Sequence, residues 1–336
     1  MQRILVIQTA FIGDVVLATA MLESLHKTYP EATIDMLVRK GNEGLLRNHP
    51  FLSEILVWEK QTQKYRSLFQ LLKKIRQKKY DWVINVQRYA ATGLLTAFSG
   101  AARKTGFDKN PFSFLFTETI KHEFSRDKEW HEVARNHVLI ASATGPLPGK
   151  PRLYPTEADF ASVKNFQSQP YICLAPASVW FTKQFPADQW VALLNRLPGH
   201  IPVYLLGAPG DVLLGDTIVH NTTHPQVMNL AGKLNLLASA ALMEKAEMNY
   251  VNDSAPMHFA SAMNAPVTAV YCSTIPAFGY GPLSDTRFVI ETPITLDCRP
   301  CGLHGHAACP RGHFNCARHI TTEQLLSVLP ASANTN

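Results

Sequence analysis

Blocks of apolar residues alternate with polar turns along the chain. Arg3-Ile4-Leu5-Val6-Ile7 is a short β-branched run, after which Val15, Val16, Ala18, Thr19, Leu22 and Leu25 recur at helical spacing. The pattern predicts a strand, a tight turn over 8–14 and an amphipathic helix. Strands are expected again at 33–38, 55–57 and 82–86. A small helix is expected over 41–47, ended by Asn48-His49-Pro50, and a longer one with Leu68, Leu71, Leu72 and Ile75 on one face. The second half repeats the scheme. Strands are expected at 171–175, 202–206, 249–252 and 267–271. Helices are expected from Phe185-Pro186, with the proline at the first helical position, over 236–246, and from Pro256 onward with Phe259, Ala262 and Met263 on the buried side. Thr321-Thr322-Glu323-Gln324 has the form of a last helix start, and that helix ends by Pro330. Strand–helix alternation of this kind predicts an α/β protein with parallel, doubly wound sheets.

Gly145, Pro146, Pro148, Gly149, Pro151 and Pro155 form the sharpest composition break, and two domains are expected, 1–150 and 151–336. With 46% hydrophobic and 17% charged residues, two sizeable cores can be buried. Arg3, the first apolar run and Ala18-Thr19-Ala20 imitate a secretory signal. Gln8, Thr9, Gly13 and Asp14 break that run into pieces of about six residues, where a signal core needs about 7–15. No run of about 20 apolar residues occurs, so a soluble protein is expected. Six cysteines without a signal segment point to a reducing, cytoplasmic setting. The net charge of +6 suits an anionic substrate or membrane surface.

Asp14 falls at a helix start beyond the carboxyl end of a strand, where open α/β sheets bind ligands. A carboxylate there is a candidate general base, or it only caps the helix. The turn lacks Gly-x-Gly-x-x-Gly, Gly13 being its one glycine, so it is not expected to cradle a pyrophosphate. The strand at 82–86 delivers Gln87 and Arg88 to the same sheet edge. Lys73, Lys74, Arg76, Lys78 and Lys79 make either a solvated helix end or a contact for acidic head groups. The aromatic stretch 107–116 reads as packed loop or as a flap. His131 opens a helix, as a structural or a chemical group.

Asp253-Ser254-Ala255-Pro256-Met257-His258 joins a strand to a helix, with Ser254 or Ala255 as the cap. Free amides at such a start form an anion site, to which Lys183 on a neighbouring loop can add a point charge. Cys298-x2-Cys301-x7-Cys309-x6-Cys316 lies among His304, His306 and His313. It reads as a structural zinc site, as disulfides, or as reduced cysteines packed in a loop. Cys173 and Cys272 fall in strands and are expected in the core.

Taken in order, these stretches resemble the family 9 glycosyltransferases, the ADP-heptose:lipopolysaccharide heptosyltransferases, over nearly the whole chain. The resemblance is carried by 3–7 with Ile12-Gly13-Asp14-Val15-Val16-Leu17-Ala18-Thr19, by 82–87, and by His131-Glu132-Val133 with Arg135-Asn136. Pro176-Ala177-Ser178 with Lys183-Gln184-Phe185-Pro186 and Trp190, then 206–211, then Asn252-Asp253-Ser254 with His258, complete it. It implies a GT-B architecture, two Rossmann-like domains facing a cleft, with the acceptor in the N-terminal domain and the nucleotide sugar in the C-terminal one. By the same resemblance Asp14 is the base, Lys183 and the amides after Asp253 hold the diphosphate, and Ser178 and His258 lie nearby. Gly13, Gln87, Arg88 and His131 fall on the acceptor side. The implied reaction is inverting displacement from a nucleotide-diphospho sugar, ADP-heptose, to an anionic glycolipid at the inner membrane face. No cofactor is implied for catalysis and no nucleic-acid partner. No Asp-x-Asp is present to bridge a metal. Ala255-Pro256 and the bulky Val179-Trp180-Phe181 depart from the family pattern. Another nucleotide sugar, or a non-catalytic sugar-nucleotide sensor, are the alternatives on the same fold.

Overall fold

The computed structural model describes residues 2–60, 64–123 and 130–329. The chain divides into two units, Met1–Tyr154 and Pro155–Asn336. The first contains β1 (Arg3–Ile7), β2 (Thr33–Arg39), β3 (Leu52–Trp58), β4 (Trp82–Asn85), β5 (Arg103–Phe107) and β6 (Glu118–Ile120). They form one parallel sheet in the order β3-β2-β1-β4-β5-β6. Ile4 to Ile7, Met36 to Val38 and Trp82 to Ile84 are buried on both faces of the sheet, which continuous apolar runs favour once helices cover both sides. The winding direction reverses between β1 and β4, where Ile7 pairs with Asn85.

The second unit repeats this plan with β7 (Ile172–Ala175), β8 (Val203–Leu205), β9 (Val227–Asn229), β10 (Met248–Asn252), β11 (Val267–Tyr271) and β12 (Arg287–Glu291). Its order, β12-β11-β10-β7-β8-β9, reverses between β7 and β10. Both sheets have the Rossmann strand order, which places a ligand crevice beyond the carboxyl ends of the two central strands.

The outer strands β5, β6, β9 and β12 lie outside the sequence expectation. β5 begins Arg103-Lys104-Thr105, too polar to read as a strand, yet Arg103 lies over the Trp82 ring at 3.9 Å and pairs with Glu118 at 2.7 Å. The helix expected at 41–47 contracts to a single turn, Glu43–Leu45. Pro186 stands at the N-cap of the Ala187–Leu194 helix, one position before the expected one. The basic tail of the Lys64–Lys78 helix is not simply solvated. Lys74 and Lys78 both pair with Glu54, and Lys78 reaches the buried Asp35 at 2.7 Å. Residues 149–154 are tied to the first unit. Gly149 N–H donates to Ser24 Oγ (3.0 Å), Arg152 N–H to Thr19 Oγ1 (2.9 Å) and Tyr154 OH to Glu23 (2.7 Å). The last helix, Thr322–Leu326, starts at the Thr321/Gln324 capping box, and Pro330 lies outside the described residues. Among the described residues no helix is long and apolar enough to cross a membrane.

Candidate active site

At the first reversal point the chain leaves β1 and enters the Ile12–Thr28 helix through Phe11. Phe11, the N-cap residue, is extended and has no side chain that can accept a helix amide. Asp14, one turn in, reaches back, and its Oδ2 accepts the Phe11 N–H at 3.1 Å. The carboxylate therefore caps the helix with one oxygen while remaining half-buried at the sheet edge. Burial pushes its pKa up to about 6, and the nearby Glu132 adds to the rise. The Phe11 amide and Arg39 oppose it. No cation stands within ion-pair distance of Asp14 among the described residues.

Glu132 enters the sequence reading only within the stretch His131-Glu132-Val133, with no role of its own. It opens the Glu132–His137 helix, which packs beside the Ile12–Thr28 helix. Arg135 holds it through Nε (3.0 Å) and Nη2 (2.7 Å), and Arg135 Nη1 donates to Trp130 O (2.6 Å). His131 is the N-cap of that helix, its Nδ1 accepting the Val133 N–H at 3.1 Å. Gln87 is buried beyond β4. Its side-chain amide donates to Gln8 Oε1, its N–H donates to Asn85 Oδ1 (2.9 Å), and its carbonyl accepts from Asn110 Nδ2 (3.0 Å). Arg88, next in sequence, is exposed, and Gly13 sits in the first turn of the helix, half-buried. Asp14, Gly13, Gln87 and Arg88 thus share the carboxyl edge of β1 and β4.

At the second reversal point Asn252 joins the two central loops. Its Nδ2 donates to Pro176 O (2.7 Å), beyond β7, and its Oδ1 accepts the Phe185 N–H (2.9 Å). Lys183 ends the Phe181–Lys183 turn, and its Nζ lies 2.7 Å from Asp253 Oδ2, which also accepts from Thr274 Oγ1 at 2.6 Å. Ser254 takes the N-cap position of the Ala255–Ala262 helix, but its hydroxyl turns back to Asn252 O (3.4 Å) and caps no helix amide. Pro256 has no N–H, Met257 N–H donates to Ser254 O (3.1 Å), and Asp253 N–H to Val270 O (3.1 Å). The amides left open here, among the described residues, are those of Ser254 and Ala255. A helix start with two open amides and an adjacent ammonium is an anion-binding arrangement. Ser178 is half-buried in the loop after β7, its carbonyl accepting from Gln184 Nε2 (2.7 Å). His258 is buried one turn into the helix, edge-on to the Tyr280 ring at 6.5 Å.

The zinc expectation for Cys298, Cys301, Cys309 and Cys316 finds no support. Among the described residues no three His, Cys, Asp or Glu side chains form a metal-holding group. Cys316 is in the hydrophobic core of the second unit, and Cys309 packs against that core. Cys301 Sγ donates to Cys298 O (3.0 Å), as a thiol does. Burial and the neighbouring thiols push the Cys316 thiol up to about 11 and raise that of Cys301. All six cysteines are unpaired, and Cys173 and Cys272 are buried, as expected.

Two tandem sheets of Rossmann order, with a carboxylate of raised pKa at one reversal point and an anion-binding helix start at the other, define the plan of a two-domain nucleotide-sugar glycosyltransferase. The chain belongs to glycosyltransferase family 9 (heptosyltransferase), whose family model matches residues 68–304. It is 24% identical over 283 residues to lipopolysaccharide heptosyltransferase 3 of Escherichia coli, covering 79% of this chain and 82% of that protein. In fold it matches the E. coli ADP-heptose lps heptosyltransferase II at 24% identity and a TM-score of 0.79 over 99% of both chains. The family 9 glycosyl transferase of Veillonella parvula DSM 2008 matches at 21% identity and a TM-score of 0.83, over 99% of this chain and 97% of that one.

Proposed function

We propose that the protein moves a heptose from ADP-heptose to a lipopolysaccharide-core sugar, with inversion at the anomeric carbon. The N-terminal unit takes the acceptor and the C-terminal unit the nucleotide sugar. Asp14 removes the proton from the acceptor hydroxyl, whose oxygen attacks the anomeric carbon as the bond to the diphosphate oxygen breaks. Lys183 and the Ser254 and Ala255 amides carry the charge that develops on departing ADP. Ser178 and His258 border the donor, and Gly13, Gln87 and Arg88 border the acceptor. His131 acts on the acceptor side through the helix that it caps. The acceptor is an anionic glycolipid met at the inner membrane face.

The observation that carries this reading is Asp14. A base works best with a pKa near the operating pH, and a carboxyl pushed to about 6 is much closer to it than an ordinary aspartate. A sugar-nucleotide sensor has no use for such a group. The test is ADP release from a panel of nucleotide sugars, with and without lipopolysaccharide-core acceptor. Release that requires both ADP-heptose and acceptor is expected. Equal turnover of an unrelated nucleotide sugar, or no release from any donor, overturns the assignment.

A further inference from the structure

The cysteine-containing loop packs against the residue that precedes Lys183. Thr182 is 1% exposed and sits where three segments meet. Its Oγ1 accepts the His306 N–H at 2.7 Å and lies 3.1 Å from Ser273 Oγ, which donates to it. Its own N–H donates to His306 O (3.1 Å), and its carbonyl accepts the Ser273 N–H (3.2 Å). Cys301 N–H donates to Ser273 O (2.8 Å). Arg299 fixes the same loop to the end of β11, donating to Cys272 O (2.7 Å) and Thr274 O (2.8 Å) and pairing with Glu291. The next residue along each of two segments of this joint completes a ring. Thr274 follows Ser273 and Lys183 follows Thr182, and both bind Asp253 Oδ2.

We infer that Thr182 is a positioning residue for Lys183, and that the loop 299–306 exists in this fold to hold it. The inference rests on the reading of Lys183 as a ligand of the donor diphosphate. Phe181–Lys183 is one three-residue turn, too short to fix a backbone by its own hydrogen bonding. Its placement comes from outside, through the four hydrogen bonds to Ser273 and His306. Gly305 shows how close the contact is. A Cβ there would stand 2.9 Å from Thr182 Oγ1 and 3.1 Å from Lys183 Cγ, and the residue's φ of +77° already favours glycine. The joint uses the backbone of the cysteine segment, through His306 and the Cys301 N–H, and none of its thiols. The loop orients an ammonium by gripping its neighbour.

The test is a double-mutant cycle on the full chain, read by ADP titration calorimetry with thermal midpoints measured alongside. Thr182→Val keeps the volume and removes the hydroxyl acceptor, and ADP is expected to bind roughly fivefold to tenfold more weakly. Thr182→Ser restores the oxygen and is expected within about twofold of the parent. In the Lys183→Ala background, Thr182→Val is expected to add less than about twofold, because the group it positions is gone. Gly305→Ala pushes on the joint from the other side and is expected to weaken ADP binding in the same Lys183-dependent way. Parental ADP affinity in Thr182→Val, or an effect that adds in full to Lys183→Ala, overturns the inference and leaves the diphosphate role of Lys183 standing. Parental affinity in Lys183→Ala alone overturns that role first, and the inference with it.

Discussion

Lys183 Nζ lies 2.7 Å from Asp253 Oδ2, which ties the loop after β7 to the loop after β10 at the point where the second sheet reverses. The ammonium is thus held next to the residue that precedes the open amides of Ser254 and Ala255, the proposed diphosphate site. Lys183→Ala is expected to weaken ADP binding by about 10- to 100-fold, the worth of a hydrogen bond to a charged group. Asp253→Asn keeps the shape but loosens the lysine, and a smaller loss in the same direction is expected. Calorimetry with ADP reads both. Unchanged affinity in Lys183→Ala contradicts the assignment.

The pH dependence follows from Asp14. Asp14, as the proposed base, must be ionised, so with a pKa of about 6 the activity is expected to fall as the pH drops through that value. Burial is the main cause of the rise and Glu132 the second, while Arg39 and the Phe11 amide pull the other way. Glu132→Gln removes the like charge, so the acidic limb is expected to move to lower pH. A kcat/KM profile of the two proteins measures this. A limb that stays fixed or moves upward contradicts a coupling between the two carboxylates.

Stability of the first unit depends on a different carboxylate. Asp35 is buried in β2, and its Oδ2 accepts from Lys78 Nζ (2.7 Å) and Tyr80 OH (2.5 Å). Lys78→Met leaves that charge with the tyrosine alone. Breaking a fully buried pair costs about 3–5 kcal/mol, and Lys78 is partly open to water, so a loss of about 2–3 kcal/mol is expected. Urea unfolding measures it. A loss well under about 1 kcal/mol would mean that the pair behaves as an exposed one.

Chelation tests the cysteine segment. Cys316 and Cys309 are held by packing and Cys301 by a backbone contact, so prolonged incubation with a strong chelator is expected to leave the thermal midpoint unchanged. A fall that zinc reverses would contradict this.

Much of this arrangement was legible in the sequence because it depends on local order. The run 3–7, the polar break and Asp14 at helical phase specify β1, its turn and the carboxylate at the sheet edge. Asp253-Ser254-Ala255-Pro256 specifies a strand-to-helix turn, and the missing N–H of Pro256 was there to be read. The outer strands were hidden because polar residues such as Arg103, Lys104 and Glu118 form them, and only their partners stabilise them. Glu132 lies more than a hundred residues from Asp14, so its effect on that carboxyl arises from helix packing. Thr274 was missed for the same reason, and Asn252 and Gln8 were read only as part of the family pattern and of the polar break. Asn252 did have one local signal, as an amide side chain at the end of an apolar strand. The cysteine spacing suggested zinc, but spacing carries no information on burial, and Cys316 is drawn into the core.

Asp14 is proposed to act on the acceptor and to take no part in holding the donor. Asp14→Asn tests it most directly, with transfer from ADP-heptose and ADP binding measured on the same preparation. The kcat is expected to fall by about 100- to 10,000-fold, the usual worth of a positioned base, while ADP affinity stays within about twofold. Transfer at the parental rate would contradict it.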